Sequence, residues 1–143
     1  MLSCNCLNII IESKTNDFQQ VTSDSLNLTE EEKKDFFFKQ DIRQVNKLNT
    51  INMEHSGLVM SRTIGNWISH QCLNCDVYTH AIHRERGATC VLVSAKLLET
   101  PTITTLRSSD LFSNIFNVLI SSEKEKSGEK QQGGSTFITF IIY

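Results

Sequence analysis

The chain has 143 residues, a formal net charge of −2 and five cysteines. The length fits one domain, and the near-neutral charge without a long basic run gives non-specific nucleic-acid binding no electrostatic support. No stretch reaches the roughly 18 apolar residues of a membrane span, and residues 1–11 lack the basic region and apolar core of a secretory signal. We therefore expect an intracellular protein, in the cytoplasm or nucleus, whose clustered cysteines bind metal rather than form disulfides.

The first predicted element is a strand over residues 7–11, directly after Cys4 and Cys6. Its three consecutive isoleucines favour a strand because β-branched side chains fit a pleated sheet. Residues 13–28 are polar and predict a loop or a disordered segment, within an insertion that covers about 13–41. Near its end, Thr29 and Glu32 have the spacing of a capping box, which predicts a short helix from Glu30 to about Phe38.

The middle of the chain predicts further strands. Two are expected within residues 42–64, and Trp67 to Ile82 predicts a hairpin with Cys72 and Cys75 in its turn. The continuous apolar run around Cys90 predicts a buried strand within residues 88–98. Residues 1–107 are therefore expected to form one mainly β domain.

The C-terminal part predicts an amphipathic helix over residues 108–126, with Pro101 closing the element before it and Ser108 to Asp110 as its N-terminal cap. Its apolar residues cover more than half of the helix circumference, which is wide for a helix on one surface. This width suggests burial on two sides or a partner, and we expect the helix to bind a protein partner or to form a homo-oligomer. The residues predicted to contact the partner are Leu111, Phe112, Ile115, Phe116 and Leu119. Residues 127–143 predict a linker and an apolar tail.

The two cysteine pairs predict a structural zinc site. Zinc takes four ligands in a tetrahedron and thiolates suit it, so a closed site needs two turns that supply two sulfurs each. Both pairs directly precede a predicted strand, and this repeated layout favours Cys4, Cys6, Cys72 and Cys75 as the ligands. Two alternatives stay open: a local set of Cys72, Cys75, His80 and His83, and no metal at all.

One stretch also resembles a known fold. Trp67 precedes Cys72 by five residues, and Gln71 begins the segment Gln-Cys-x-x-Cys that leads into a strand. This pattern is similar to the second zinc turn of the β-tent folds, which include the thalidomide-binding domain of cereblon, the Yippee proteins and methionine sulfoxide reductase B. The resemblance implies two antiparallel sheets joined by one zinc ion, so the expected fold is mainly β with a C-terminal α-helix.

The other candidate functional residues are expected to have structural roles. Trp67 is expected to pack in the core beside the zinc site, and His70 and His80 are expected to face water from their strands. The leading functional interpretation is a non-catalytic protein-interaction or adaptor module. The alternative is an enzyme of the sulfoxide-reductase or formaldehyde-activating type that uses Cys90 or the zinc, although Cys90 is expected to be buried and structural. A third interpretation is single-stranded nucleic-acid binding on the β face.

Overall fold

A computed structural model describes residues 1–15 and 18–120. Its elements in chain order are β1 (Leu2–Ser3), β2 (Ile9–Ser13), β3 (Phe18–Val21), α1 (Glu30–Lys33), a 3-10 turn (Phe37–Lys39), β4 (Ile42–Val45), β5 (Leu48–Met53), a second 3-10 turn (Ser56–Leu58), β6 (Val59–Ile64), β7 (Trp67–Cys72), β8 (Tyr78–His83), β9 (Gly87–Ser94), β10 (Leu98–Glu99) and α2 (Thr100–Arg107).

The strands form two sheets in which the paired neighbours are antiparallel. The smaller sheet has the order β10-β1-β2-β5, and the larger has the order β3-β4-β9-β8-β7-β6. In the larger sheet, β7 and β8 are the hairpin predicted around the second cysteine pair, with Trp67 opposite His83 and Ile68 opposite Ile82. The prediction of a mainly β fold with two antiparallel sheets and a C-terminal helix is confirmed.

The main core lies between the two sheets. Ile9 and Ile11 from β2 pack there with Val91 and Val93 from β9, and the four clustered cysteines belong to the same core. Alternate residues of a strand point to opposite faces, so Ile10 and Leu92 point to the outer faces of the two sheets. Both outer faces are covered, which explains why these strands are apolar along their whole central part.

The outer face of the smaller sheet is covered by α2 and the segment after it. Leu7, Ile10, Ile103 and Leu119 form this second core. On the opposite side of the molecule, the outer face of the larger sheet is covered by the first 3-10 turn. The third core there consists of Leu28, Phe37, Phe38, Ile42, Trp67, Ala81, Cys90 and Leu92.

The predicted capping box is present at the start of α1. The hydroxyl of Thr29 accepts a hydrogen bond from the Glu32 backbone, and the Glu32 carboxylate accepts one from the Thr29 backbone. The other oxygen of Glu32 accepts a hydrogen bond of 2.7 Å from the backbone N–H of Asn66, in the turn between β6 and β7. The buried carboxylate therefore attaches the helix to the larger sheet. The helix is shorter than predicted: α1 ends at Lys33, and a 3-10 turn over Phe37–Lys39 takes the place of its predicted second half.

The predicted position of the C-terminal helix is wrong. The helix covers Thr100–Arg107, and Pro101, predicted to end the preceding element, lies in its first turn. There proline is favoured, because the first amides of a helix have no intrahelical acceptor. Residues 108–120 form turns around an isolated bridge between Phe112 and Leu119. The remainder of the predicted helix, 121–126, and the predicted linker and tail, 127–143, lie outside the described residues.

The prediction of a loop for residues 13–28 is also wrong in part. Phe18–Val21 forms an edge strand that pairs with β4, and Leu28 is buried in the third core. Three strands, rather than the predicted two, lie within residues 42–64. Within the described residues, no helix is both long and apolar enough to cross a membrane.

Candidate metal centre

The first cysteine pair lies in a tight turn between β1 and β2, which we call the first knuckle (residues 4–9). The backbone N–H of Cys4 donates to the carbonyl of Ile9 over 3.2 Å, and that of Leu7 donates to the carbonyl of Cys4. Leu7 has a φ of +70°, a left-handed conformation that bulky residues rarely adopt. Its side chain is buried in the second core, so packing holds the turn in this conformation.

The second pair lies in an equivalent turn between β7 and β8, the second knuckle (residues 72–77). The backbone N–H of Cys72 donates to the carbonyl of Val77 over 2.9 Å, which spans five residues as in the first knuckle. The residue after the last cysteine, Asp76, is again left-handed, with a φ of +65°. Thus Leu7 and Asp76 occupy the conformation that glycine adopts most readily, and each knuckle folds around its two sulfurs.

The two knuckles bring the four predicted sulfurs together. The Sγ atoms of Cys4, Cys6, Cys72 and Cys75 all lie within 4.8 Å of one another. Cys6 is 3.8 Å from Cys4 and 3.7 Å from Cys72, measured between sulfurs. A tetrahedral ion with metal–sulfur bonds of about 2.3 Å separates its sulfurs by about 3.8 Å. Disulfide sulfurs would be only about 2.05 Å apart. These two distances fit a tetrahedral thiolate site, and the four residues could hold one metal ion.

The electrostatics of the cluster point to the same chemistry. Hydrogen bonds to Cys4, Cys72 and Cys75, together with burial, raise the pKa of the Cys6 thiol. At Cys4 the contact with Cys6 lowers the pKa, but the hydrogen bonds to Cys72 and Cys75 and the burial outweigh it. Accepting hydrogen bonds from Cys4 and Cys6 lowers the pKa of Cys72 and of Cys75. A bound cation would take the place of the protons that these crowded thiols share.

Neighbouring groups donate hydrogen bonds to the sulfurs. The backbone N–H of Ile9 lies 3.4 Å from the Cys4 sulfur, and the Asn8 amide Nδ2 lies 3.8 Å from the Cys72 sulfur. Asn8 is itself held in place, because its Oδ1 accepts a 2.7 Å hydrogen bond from the backbone of His55. Donors of this kind stabilise thiolates and orient metal ligands. Asn8 was not a sequence candidate. The signal available for it was a polar residue between Leu7 and three isoleucines, where only apolar residues were expected.

The histidines do not join the cluster, which argues against the local ligand set. His80 is fully buried in β8, and its Nδ1 lies 2.8 Å from the Thr79 hydroxyl. Its ring stacks on His70 with 4.1 Å between centroids and an interplanar angle of 3°. The expectation that both histidines face water is wrong for His80. His83 packs edge-on against Trp67, and its Nδ1 accepts hydrogen bonds from the loop backbone.

Trp67 and Cys90 both lie away from the cluster. Trp67 is a core residue as predicted, but it belongs to the third core, on the outer face of the larger sheet, rather than beside the cysteines. Cys90 is 4% exposed in the same core, which confirms that it is buried. The Nη1 atom of Arg86 lies 3.9 Å from the Cys90 sulfur. No described group beyond this guanidinium contact distinguishes Cys90 among the residues of the third core, and the enzyme alternative stays a prediction.

The predicted partner residues divide into two groups. Leu119 is buried and Phe112 packs against the second core, while the backbone of Leu119 donates to the carbonyl of Cys6 over 2.9 Å. Leu111, Ile115 and Phe116 are exposed, and Ile115 most of all, at 83%. The segment 111–120 thus covers the first knuckle with one side and presents apolar side chains on the other.

Comparison with protein-family models, with curated proteins and with solved structures gives no match to this chain.

Proposed function

We propose that this protein is a structural-zinc domain in which Cys4, Cys6, Cys72 and Cys75 bind one zinc ion that joins the two knuckles. The observation that carries the proposal is the convergence of four buried sulfurs, all within 4.8 Å of one another, from opposite parts of the chain. Zinc is preferred because four thiolates on two tight turns are its usual structural ligand set. Four protein ligands leave no position open for substrate, so the proposed role is stabilisation of the fold.

The arrangement of the site also supports the resemblance to the β-tent folds as a proposal. Two cysteine pairs on two turns lie between two antiparallel sheets, which is the layout that the resemblance implies. The proposed similarity covers the fold and the zinc site. It does not extend to the aromatic pocket of cereblon.

Metal analysis with single substitutions tests the zinc site. We expect one zinc per chain in purified protein, and a loss of at least half of it in Cys4→Ser, Cys6→Ser, Cys72→Ser and Cys75→Ser. Cys90→Ser is the matched control, because Cys90 is equally buried but lies in another core. Iron in place of zinc would refute the proposed metal, and metal-free wild-type protein would refute the site.

A protein-interaction role is favoured by the exposed residues Leu111, Ile115 and Phe116. Isolated exposed apolar residues are common, but three within six residues of one segment offer apolar surface that a partner or a second copy would cover. Ile115→Asp should abolish such association, measured by sedimentation for self-association and by co-purification for another protein. Met60→Asp is the control, because Met60 is also an exposed apolar residue but lies in β6, outside both knuckles and the segment 111–120. Equal association of both variants and wild type would refute this surface.

A further inference from the structure

The cysteine cluster is also a pair of dithiols that face each other across the two knuckles. Cys6 and Cys72 are 66 residues apart in the chain, yet their sulfurs are 3.7 Å apart. A disulfide between them requires the sulfurs to approach by about 1.7 Å, to the usual bond length of about 2.05 Å. Side-chain rotation and small backbone shifts supply a movement of this size. The same cross-link that a metal would provide is therefore within reach of oxidation.

We propose that oxidation by a peroxide replaces the metal cross-link with a Cys6–Cys72 disulfide, so that the domain releases its metal and stays folded. This inference deepens the zinc site proposed above and rests on it. One thiolate attacks hydrogen peroxide, which breaks the O–O bond, forms a sulfenic acid and releases hydroxide. The second thiolate attacks that sulfur, forms the S–S bond and expels a second hydroxide. Two protons from solvent convert both hydroxides to water, the two sulfurs are oxidised and the peroxide is reduced.

The folded structure selects a bond between the knuckles over bonds within them. A Cys4–Cys6 disulfide would close a ring with one intervening residue, which strains the disulfide geometry. A Cys72–Cys75 disulfide is the realistic competitor, but it leaves the knuckles unconnected. Clustered thiols exchange disulfides, so the final product depends on stability rather than on which sulfur reacts first. Closing the long loop between Cys6 and Cys72 constrains the unfolded chain more than closing the short loop within either knuckle.

Peptide mapping distinguishes these products. Zinc content is measured first, and the zinc-loaded protein is then treated with hydrogen peroxide, alkylated and digested with trypsin without reduction. Cleavage after Lys14, Arg62 and Arg84 places the first knuckle on peptide 1–14 and the second on peptide 63–84. Cleavage after Arg86 and Lys96 isolates Cys90 on peptide 87–96 as an internal control. The expected result is a linked pair of peptides 1–14 and 63–84, with zinc released in equal amount.

Two single variants then identify the bond. The link should persist in Cys4→Ser and decrease at least fivefold in Cys6→Ser, while the oxidised wild type keeps the Trp67 fluorescence of the reduced, metal-loaded protein. Unlinked peptides with an internal Cys72–Cys75 disulfide would overturn the inference, as would a link to peptide 87–96, which indicates unfolding before oxidation. If no zinc is present at the start, the proposed zinc site fails first. Zinc that is present but gives unlinked peptides refutes the switch alone.

Discussion

Asn8 is the residue whose side chain supports the cluster most directly. Its amide donates to the Cys72 sulfur and to the carbonyl of His55. Asn8→Asp keeps the shape but removes this donor and places a carboxylate beside thiolates. We expect zinc affinity to fall about 10–100-fold, the usual effect of losing an outer partner of a metal ligand. Competition with a chromophoric chelator measures it.

The control for this substitution is Asn52→Asp, because the Asn52 side chain is exposed on β5 and bonds to Glu54. It introduces the same charge on β5, opposite Ile10 of β2, and we expect zinc affinity within twofold of wild type. Equal losses in the two variants would show that net charge, rather than the Asn8 hydrogen bond, sets the affinity.

Asp76 has an exposed side chain, but its left-handed backbone conformation restricts which residues can replace it. A left-handed conformation costs an ordinary L-residue about 1–2 kcal/mol, and aspartate tolerates it better than most. We expect Asp76→Gly to keep the free energy of unfolding within about 0.5 kcal/mol of wild type and Asp76→Val to lower it by about 1–2 kcal/mol. Denaturant titration in excess zinc measures both.

Asp24 gives the comparison, because it is also exposed in a turn but does not have a positive φ. At this position we expect the free energy of unfolding of Asp24→Gly to be no higher than that of Asp24→Val. If the glycine variant is no more stable than the valine variant at position 76 either, the second knuckle does not require the left-handed conformation in solution.

At the scale of elements, the contact between α1 and the β6–β7 turn depends on Gly65. Gly65 has a φ of +59°, and a Cβ at this position would collide with the Glu32 carboxylate. Gly65→Ala should therefore lower the free energy of unfolding by about 2–4 kcal/mol, combining backbone strain with displacement of a buried hydrogen-bonded carboxylate. Thermal or denaturant unfolding measures the loss.

Substitutions at two other glycines separate the backbone strain from the displacement of the Glu32 carboxylate. Gly87 has a φ of +56° with open space around it, and Gly57 has open space without a positive φ. Gly87→Ala should show the strain alone, about 1 kcal/mol, and Gly57→Ala should stay within about 0.5 kcal/mol of wild type. A Gly65→Ala loss no larger than that of Gly87→Ala would contradict the proposed attachment through Glu32.

Short sequence patterns predicted the elements that are determined by local hydrogen bonds or tight turns. The capping box at Thr29 and the hairpin around Cys72 and Cys75 have such short-range causes, and both predictions are confirmed. The helix at 108–126 was predicted from apolar spacing, which is ambiguous for short runs. In the folded chain, Leu119 packs with Leu7 and Ile103 in the second core, and its backbone N–H donates to the carbonyl of Cys6, far from it in sequence. A single sequence does not contain that tertiary information.

The cluster itself could be predicted because cysteine spacing constrains geometry. The choice of Cys4 and Cys6 as the second pair depended on the similar order of cysteines and strands, and the structure brings these four sulfurs together. The His70–His80 stack could not be predicted in this way. Alternation along β7 and β8 places both rings on one face, but whether that face meets water depends on the second sheet.

At the scale of the whole molecule, the buried His80 predicts acid sensitivity. Burial lowers the pKa of His80 well below its usual value of 6.5, and the neighbouring His70 lowers it further. Above pH 6.5 His80 is neutral in both folded and unfolded chains, so it has no effect on stability there. Below pH 6.5 the unfolded chain binds a proton that the folded chain does not, so stability falls by up to about 1.4 kcal/mol per pH unit.

His80→Phe tests this, because phenylalanine keeps an aromatic ring in the core and does not titrate. Unfolding free energies are compared between pH 7.5 and 5.5 at saturating zinc, so that proton competition for the cysteines is common to both proteins. We expect the wild type to lose more stability than the variant as the pH falls. Identical slopes would show that His80 binds its proton as readily in the folded state as in the unfolded state.

The metal is expected to decide whether the whole molecule folds. Zinc binding to four thiolates contributes an apparent 10–16 kcal/mol in small zinc domains, which equals or exceeds the 5–15 kcal/mol that stabilises a typical domain. The cysteines belong to the core between the sheets, so removal of the ion leaves four crowded, buried sulfurs with no cation between them. A strong chelator under reducing conditions should therefore unfold the protein, measured by circular dichroism and Trp67 fluorescence.

Cys90→Ser should unfold at the same chelator concentration as wild type, since Cys90 belongs to another core. Added zinc should restore the folded signal, which separates loss of metal from irreversible damage. The same chelator should leave peroxide-treated protein folded, because its knuckles would be joined by a covalent bond instead of an ion. A reduced, metal-free chain that kept its native spectrum would show that the three apolar cores suffice without any link between the knuckles.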